Sequence, residues 1–113
     1  MIKNSIVLVP FPFDDLSGAK PRPALCLTNE IGKYHQIIIA FISSNLGHTL
    51  LSSDILIEKN SPNWNGTGLA ADSILRLHKI VTVPKVLLKR KLGMINSELQ
   101  QEVYSKLKTL FEN

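Results

Sequence analysis

The sequence predicts a mainly β domain: a small antiparallel barrel or strongly bent sheet with one C-terminal α-helix packed on it. Three observations carry this. Short apolar runs rich in β-branched residues recur at Ile6–Val9, Ala24–Leu27, Gln36–Ile42, Asp54–Glu58 and Ser73–Val83. Polar segments bearing Pro or Gly separate them. Only the final segment, from Ser97, carries apolar residues at helical spacing.

The 113 residues make one domain, 1–113, without an internal repeat, a low-complexity tract or a dividing linker. Thirteen basic residues against nine acidic leave a net charge of +4, which leans towards a polyanion such as nucleic acid. The single Cys26 excludes an intrachain disulfide and, inside an apolar run, reads as a small core residue. No Cys/His cluster suggests a structural metal. The start has too few apolar residues for a secretory leader, and no run approaches a membrane span. The expected location is the cytoplasm.

Ile6–Val9, closed by Pro10, is the first strand. Pro10–Pro21 (PFPFDDLSGAKP) is an irregular loop, long for so small a domain. Asp14 and Asp15 read there as solvated acids in preference to a general base, and Phe11 and Phe13 as pins to the body. Next, Lys20–Thr28 reads KPRPALCLT. Pro21 and Pro23 hold Arg22 extended at the mouth of a strand covered on both faces. A rigidly held cation is preorganised to meet an anion. By itself the stretch reads more simply as a solvated arginine in a Pro-rich turn.

Asn29–His35 turns about Gly32, and Gln36–Ile42, with three consecutive isoleucines, is the central strand. It ends in Ser43, Ser44 and Asn45, where small polar residues serve either a site or a plain turn. Asp54–Glu58 is a further strand, followed by the polar segment Lys59–Gly68, whose Trp64 is expected to fold back on the barrel. Arg76 and His78, two apart, share a strand face and suit an anion contact, a subunit interface or a solvent-facing edge. Lys85–Lys91 is a basic segment read as a solvated face. In the helix, Ser97 with Gln100 fits a capping box, and Leu99, Val103, Leu107, Leu110 and Phe111 form the covering face.

The order of these stretches carries a resemblance. VLVPFPFDDLSGAKPRPALCL, then AFISSN, then GLAADSILRLHKIVTV, then LGMI and a helix, closely resembles the MazF/PemK toxins of bacterial toxin–antitoxin pairs. The similarity spans nearly the whole chain. It implies an SH3-like barrel of the MazF/PemK/CcdB type, working as a homodimer. It also implies sequence-selective cleavage of single-stranded RNA without metal or other cofactor. A cognate antitoxin would block the RNA groove with an acidic segment, and operator DNA would be bound through the toxin–antitoxin complex.

Roles carry over where residues match. The family's catalytic arginine in an RP step falls on Arg22-Pro23, and its catalytic hydroxyl after an isoleucine falls on Ser43. The loop before the arginine, with Ser17, Gly18 and Lys20, would line the RNA groove. Ser44, Asn45, His48, Arg76 and His78 complete the candidate RNA-binding set, and Asp72-Ser73 fits the family's pattern near the groove. Asn4-Ser5 departs from the usual Gly-Asp opening, and Ser43 stands where Thr is frequent.

The chemistry agrees with these residues. RNA carries its own nucleophile, so an enzyme has to position the strand, stabilise phosphate charge and move two protons. Arg22 supplies a permanent cationic fork and Ser43 a hydroxyl donor; His48 is an outside candidate for proton transfer. Two other classes compete: a CcdB-like topoisomerase poison and a non-catalytic nucleic-acid-binding module. Cleavage of naked RNA by the purified protein separates the ribonuclease from both.

Overall fold

The computed structural model describes residues 2–10, 20–47 and 49–113. The expectations for Phe11, Phe13, Asp14, Asp15, Ser17, Gly18 and His48 lie outside the described residues. The elements are β1 (Ser5–Pro10), β2 (Pro21–Cys26), β3 (Gln36–Ser43), β4 (Asp54–Ile57), β5 (Ser73–Pro84), β6 (Arg90–Met94) and α1 (Ser97–Glu112). Short 3-10 turns lie at Pro62–Trp64 and Lys85–Leu87. The strands form one antiparallel sheet in the order β4-β5-β3-β2-β1-β6, curled into a partial barrel.

Alternation along the strands gives the sheet two apolar faces. Ile6, Leu25, Ala40, Ile42, Ile55, Ile57, Leu75 and Leu77 pack with Leu99 and Val103 of α1. Val7, Val9, Ala24, Cys26, Ile37 and Ile39 gather separately, with Phe41 against them. The isoleucine-rich β3 is interior to the sheet, as its unbroken apolar run requires. Cys26 is fully buried, and the same burial pushes its thiol pKa up to about 11.

β5 makes the sheet curl. Ala40 pairs with Ile80, but the next residue, Phe41, pairs with Arg76. Leu77, His78 and Lys79 therefore have no partner on β3 and form a bulge, which bends the strand. Its first part, Ser73–Arg76, pairs with β4, while its second part runs on beside β3 alone.

The segment after β4 crosses to β6 at the far side of the sheet. Gly66 accepts a hydrogen bond from Met94 N at 2.9 Å, and Trp64 packs half-buried against the helix-side core, as expected. A Cβ on Gly93 would stand 2.1 Å from the Gly66 carbonyl oxygen, so only glycine permits the approach. Asn4 adopts φ 73°, a left-handed conformation that glycine or asparagine tolerates best, so it can stand at the expected glycine position. Ser5 beside it is buried.

The basic residues Lys85, Lys89, Arg90 and Lys91 are exposed, as a solvated face requires, and β6 begins at the end of that stretch because pairing with β1 supplies the order that its Arg-Lys-Leu-Gly-Met sequence does not signal. Two local expectations are corrected. The helix cap is Asn96, one residue before Ser97: its side chain accepts from Leu99 N at 2.8 Å, while Gln100 Nε2 donates to Ile95 O. Phe111 is 74% exposed, since the core contacts of α1 stop at Leu107.

Candidate active site

Among the described residues, Arg22, Ser43 and Arg76 fall on the sheet face opposite the one packed on α1. Directly paired residues of antiparallel strands share a face. Val9 pairs with Arg22, and Ala24 pairs with Phe41. The β2–β3 ladder ends at Ala24 and Phe41, and Arg22 and Ser43 each lie two residues beyond that pair on their own strands. By alternation Val9, Arg22 and Ser43 belong to the same face as Ala24 and Phe41. A row of paired residues runs Ala24, Phe41, Arg76 and Asp54 across β2, β3, β5 and β4.

Arg22 is half-buried between Pro21 and Pro23, on the strand they prescribe. Ser43 is the last residue of β3, and its Oγ accepts from Asn45 N at 3.1 Å. That bond occupies a lone pair and leaves the hydroxyl proton available to an incoming oxygen. Asn45 in turn accepts from Gly47 N at 3.0 Å through Oδ1, so two side-chain turns fix the backbone after the strand. Ser44, Asn45 and Lys20 are exposed.

Arg76 and His78 are brought to one carboxylate that the sequence did not single out. Asp54 has a side chain only 1% exposed; its Oδ1 accepts from Arg76 Nε at 2.8 Å, and His78 Nδ1 lies 3.9 Å from the same oxygen. Asp54 Oδ2 accepts from Leu51 N at 2.9 Å, and Lys106 of α1 donates to the Asp54 backbone oxygen at 2.8 Å. An acid opening a short strand after two serines looks like an ordinary turn residue. Only its long-range pairing with Arg76 distinguishes it.

The Asp72-Ser73 step serves the scaffold. Asp72 Oδ1 accepts from Lys59 N at 2.7 Å, and Ser73 Oγ donates to Ala71 O at 2.7 Å, fastening the chain where β5 begins. Away from this face, Glu30 meets Lys85 Nζ at 3.1 Å and His35 Nδ1 at 2.6 Å. Hydrogen bonds from Lys85 first and His35 second hold its carboxyl below the usual carboxylate range. Among the described residues no group of three His, Cys, Asp or Glu is gathered as metal ligands would be. No helix among them is long and apolar enough to cross a membrane.

A curled antiparallel sheet with one covering helix, and Arg22 and Ser43 on the face away from that helix, makes a small partial barrel. Residues 3–111 match the family of PemK-like, MazF-like toxins of type II toxin–antitoxin systems, and the chain belongs to that family. No curated protein matches it in sequence. Solved structures share the fold. An endoribonuclease from a mycobacterial species, seen with its cognate antitoxin, superposes with TM-score 0.71 at 12% identity, covering 99% of this chain and 95% of the other. The Mycobacterium tuberculosis toxin MazF-mt6 gives TM-score 0.71 at 19% identity, with 96% of each chain covered. A second mycobacterial endoribonuclease structure gives 0.69 at 13% identity, covering 99% of this chain and 91% of that one. At these identities the likeness carries the fold.

Proposed function

We propose that this family member is a sequence-selective endoribonuclease that cuts single-stranded mRNA in the cytoplasm, without metal, through Arg22 and Ser43. The observation that supports the reading is that Arg22 and Ser43 fall on one sheet face, each two residues beyond the Ala24–Phe41 pair. A cation and a hydroxyl donor so placed can grip one phosphate from two sides.

In this reading the guanidinium of Arg22 donates to the non-bridging phosphate oxygens, and the Ser43 hydroxyl donates to one of them. The adjacent 2′-OH attacks phosphorus, the bond to O5′ breaks, and a 2′,3′-cyclic phosphate and a free 5′-OH result. Because the nucleophile is already part of the substrate, positioning replaces much of its activation. Lys20, exposed just before β2, adds a cation beside Arg22, and Arg76 and His78 complete the proposed RNA-binding set.

The same proposal includes a homodimer, a cognate antitoxin that covers this face, and operator DNA bound through the toxin–antitoxin complex. The relatives named as endoribonucleases, one of them with its antitoxin, support the ribonuclease and antitoxin parts of this reading. The test is incubation of the purified protein with a long unstructured RNA and mapping of both new ends. Discrete cuts leaving cyclic phosphate and 5′-OH ends are expected. Intact RNA at micromolar protein would overturn the reading and turn attention to a protein target. Sedimentation reads the dimer, and a monomer at that concentration removes it.

A further inference from the structure

A cavity of about 250 Å³ lies where the chain crosses from β5 to β6, beside β1. Ile2, Val7 and Leu88 give it apolar walls, and Ser5, Lys85, Lys89, Arg90 and Lys91 complete the lining. Hydrogen bonds fix both sides. Lys89 N donates to Leu8 O at 2.8 Å, Leu88 N to Lys85 O at 2.9 Å, and Ile2 N to Asn29 Oδ1 at 3.0 Å. Lys91 pairs with Val7 in the β1–β6 ladder, so Lys91, Val7 and Ser5 share one face.

Two demands in this lining are unmet. Ser5 is 3% exposed, and its Oγ has no hydrogen-bond partner among the described residues. A buried hydroxyl left in that condition costs free energy, which an oxygen seated in the cavity would recover. The cations are the second demand. Glu30 answers Lys85 at 3.1 Å, whereas Lys89, Arg90 and Lys91 form no ion pair among the described residues. Exposed cations alone would read as a solvated face. A buried, unpartnered hydroxyl lining the same cavity points to a ligand.

We propose that this cavity binds the phosphate group of a phosphate ester. Lys89, Arg90 and Lys91 meet its oxygens from the rim, Ser5 Oγ donates from the inner wall, and the ester's carbon portion lies on Ile2, Val7 and Leu88. A tetrahedral phosphate can take a hydroxyl donor on one side while other oxygens face the cations; a planar carboxylate has only two oxygens to share. The ester is either a free nucleoside monophosphate or one link of a nucleic-acid strand, since both present the same oxygens. Neither Arg22 nor Ser43 takes part, so the site stands or falls separately from the ribonuclease reading.

The test follows backbone amide NMR shifts of the full-length protein as inorganic phosphate is added, against sodium chloride at equal ionic strength. Saturable shifts at Ser5, Val7, Lys89, Arg90 and Lys91 are expected with phosphate alone. Lys91→Gln should weaken phosphate binding about tenfold and Ser5→Ala about threefold, while Lys108→Gln on α1 leaves it unchanged. Ser5→Ala deletes a hydroxyl without a partner, so it should fold and, without phosphate, melt no lower than wild type. Adenosine 5′-monophosphate and a 2′-O-methyl oligonucleotide separate the two sources. Whichever moves these amides at the lower phosphate-group concentration identifies the ester. Phosphate shifts no larger than those of chloride overturn the proposal, as does a Ser5→Ala protein that binds phosphate like wild type. A pentaglutamate peptide that moves these amides where phosphate does not also overturns it, and assigns the cavity to an acidic protein segment. None of these results touches the cleavage reading.

Discussion

Arg76 and Asp54 face each other twice, once as partners in the β4–β5 ladder and once as an ion pair of 2.8 Å. The ladder fixes the backbones, so the pair forms without ordering two free side chains from solvent. Both side chains are withdrawn from water, at 12% and 1% exposure, which makes removal of either costly.

Asp54→Ala is therefore expected to destabilise the fold by about 3 to 5 kcal/mol, because it strands Arg76 and leaves the Leu51 amide without an acceptor. Denaturant unfolding measures it. A loss below about 1 kcal/mol would place the pair with ordinary surface bridges.

Arg22→Ala should abolish growth arrest on induced expression while the circular dichroism stays native, since Arg22 lies outside both apolar clusters. Arg22→Lys should rescue poorly, a point charge being no substitute for the planar fork. Ser43→Ala should lose about 3 to 4 kcal/mol of transition-state stabilisation, as for one preorganised donor, and Ser43→Thr should stay near wild type. Damage confined to Ser44→Ala would move the hydroxyl one residue along.

Cleavage is expected to continue in EDTA. One 2′-deoxy or 2′-O-methyl nucleotide immediately upstream of the cut should stop it, because that hydroxyl is the nucleophile. DNA of the same sequence should remain whole. Loss of cutting in EDTA, or cutting of the substituted strand, would reject the proposed chemistry.

Cys26 should resist alkylation in the native protein at pH 8, since a thiol at about 11 is ionised there to only about one part in a thousand. The sign for stability follows from a folded pKa raised above the unfolded one. The contribution is intact below about 9 and disappears as pH rises from there towards 11. Rapid labelling of native protein at pH 8 would contradict this placement.

Gly93→Ala should cost about 3 kcal/mol or more, because the added carbon would lie 2.1 Å from one main-chain atom and 2.6 Å from another. Neither is the end of a side chain that can swing away. Thermal unfolding reads the effect, and a melting temperature within a degree of wild type would show that the loop at Gly66 yields.

Most of the fold was legible because its determinants are local. An unbroken isoleucine run predicts an interior strand, bracketing prolines predict an extended Arg22, and spaced leucines and a valine predict the face of α1. The signal faded where order comes from a distant partner. β6 owes its regularity to β1, and the cap of α1 was placed one residue late because Asn96 and Ser97 are both good caps. Which residues face one another across the strands depends on register, which a single sequence does not specify residue by residue.

By itself the sequence determined an antiparallel β fold with a C-terminal helix, a buried cysteine and an extended Arg22, since alternation, proline geometry and helical spacing act within a few residues. Tertiary structure alone decided that β2 and β3 bring Arg22 and Ser43 to one face, that β5 bulges at His78, and that Asp54 gathers Arg76 and Lys106. The physical reason is separation along the chain. Asp54 and Arg76 are 22 residues apart and Asp54 and Lys106 are 52 apart, so strand register and helix docking bring together groups with no local reason to meet.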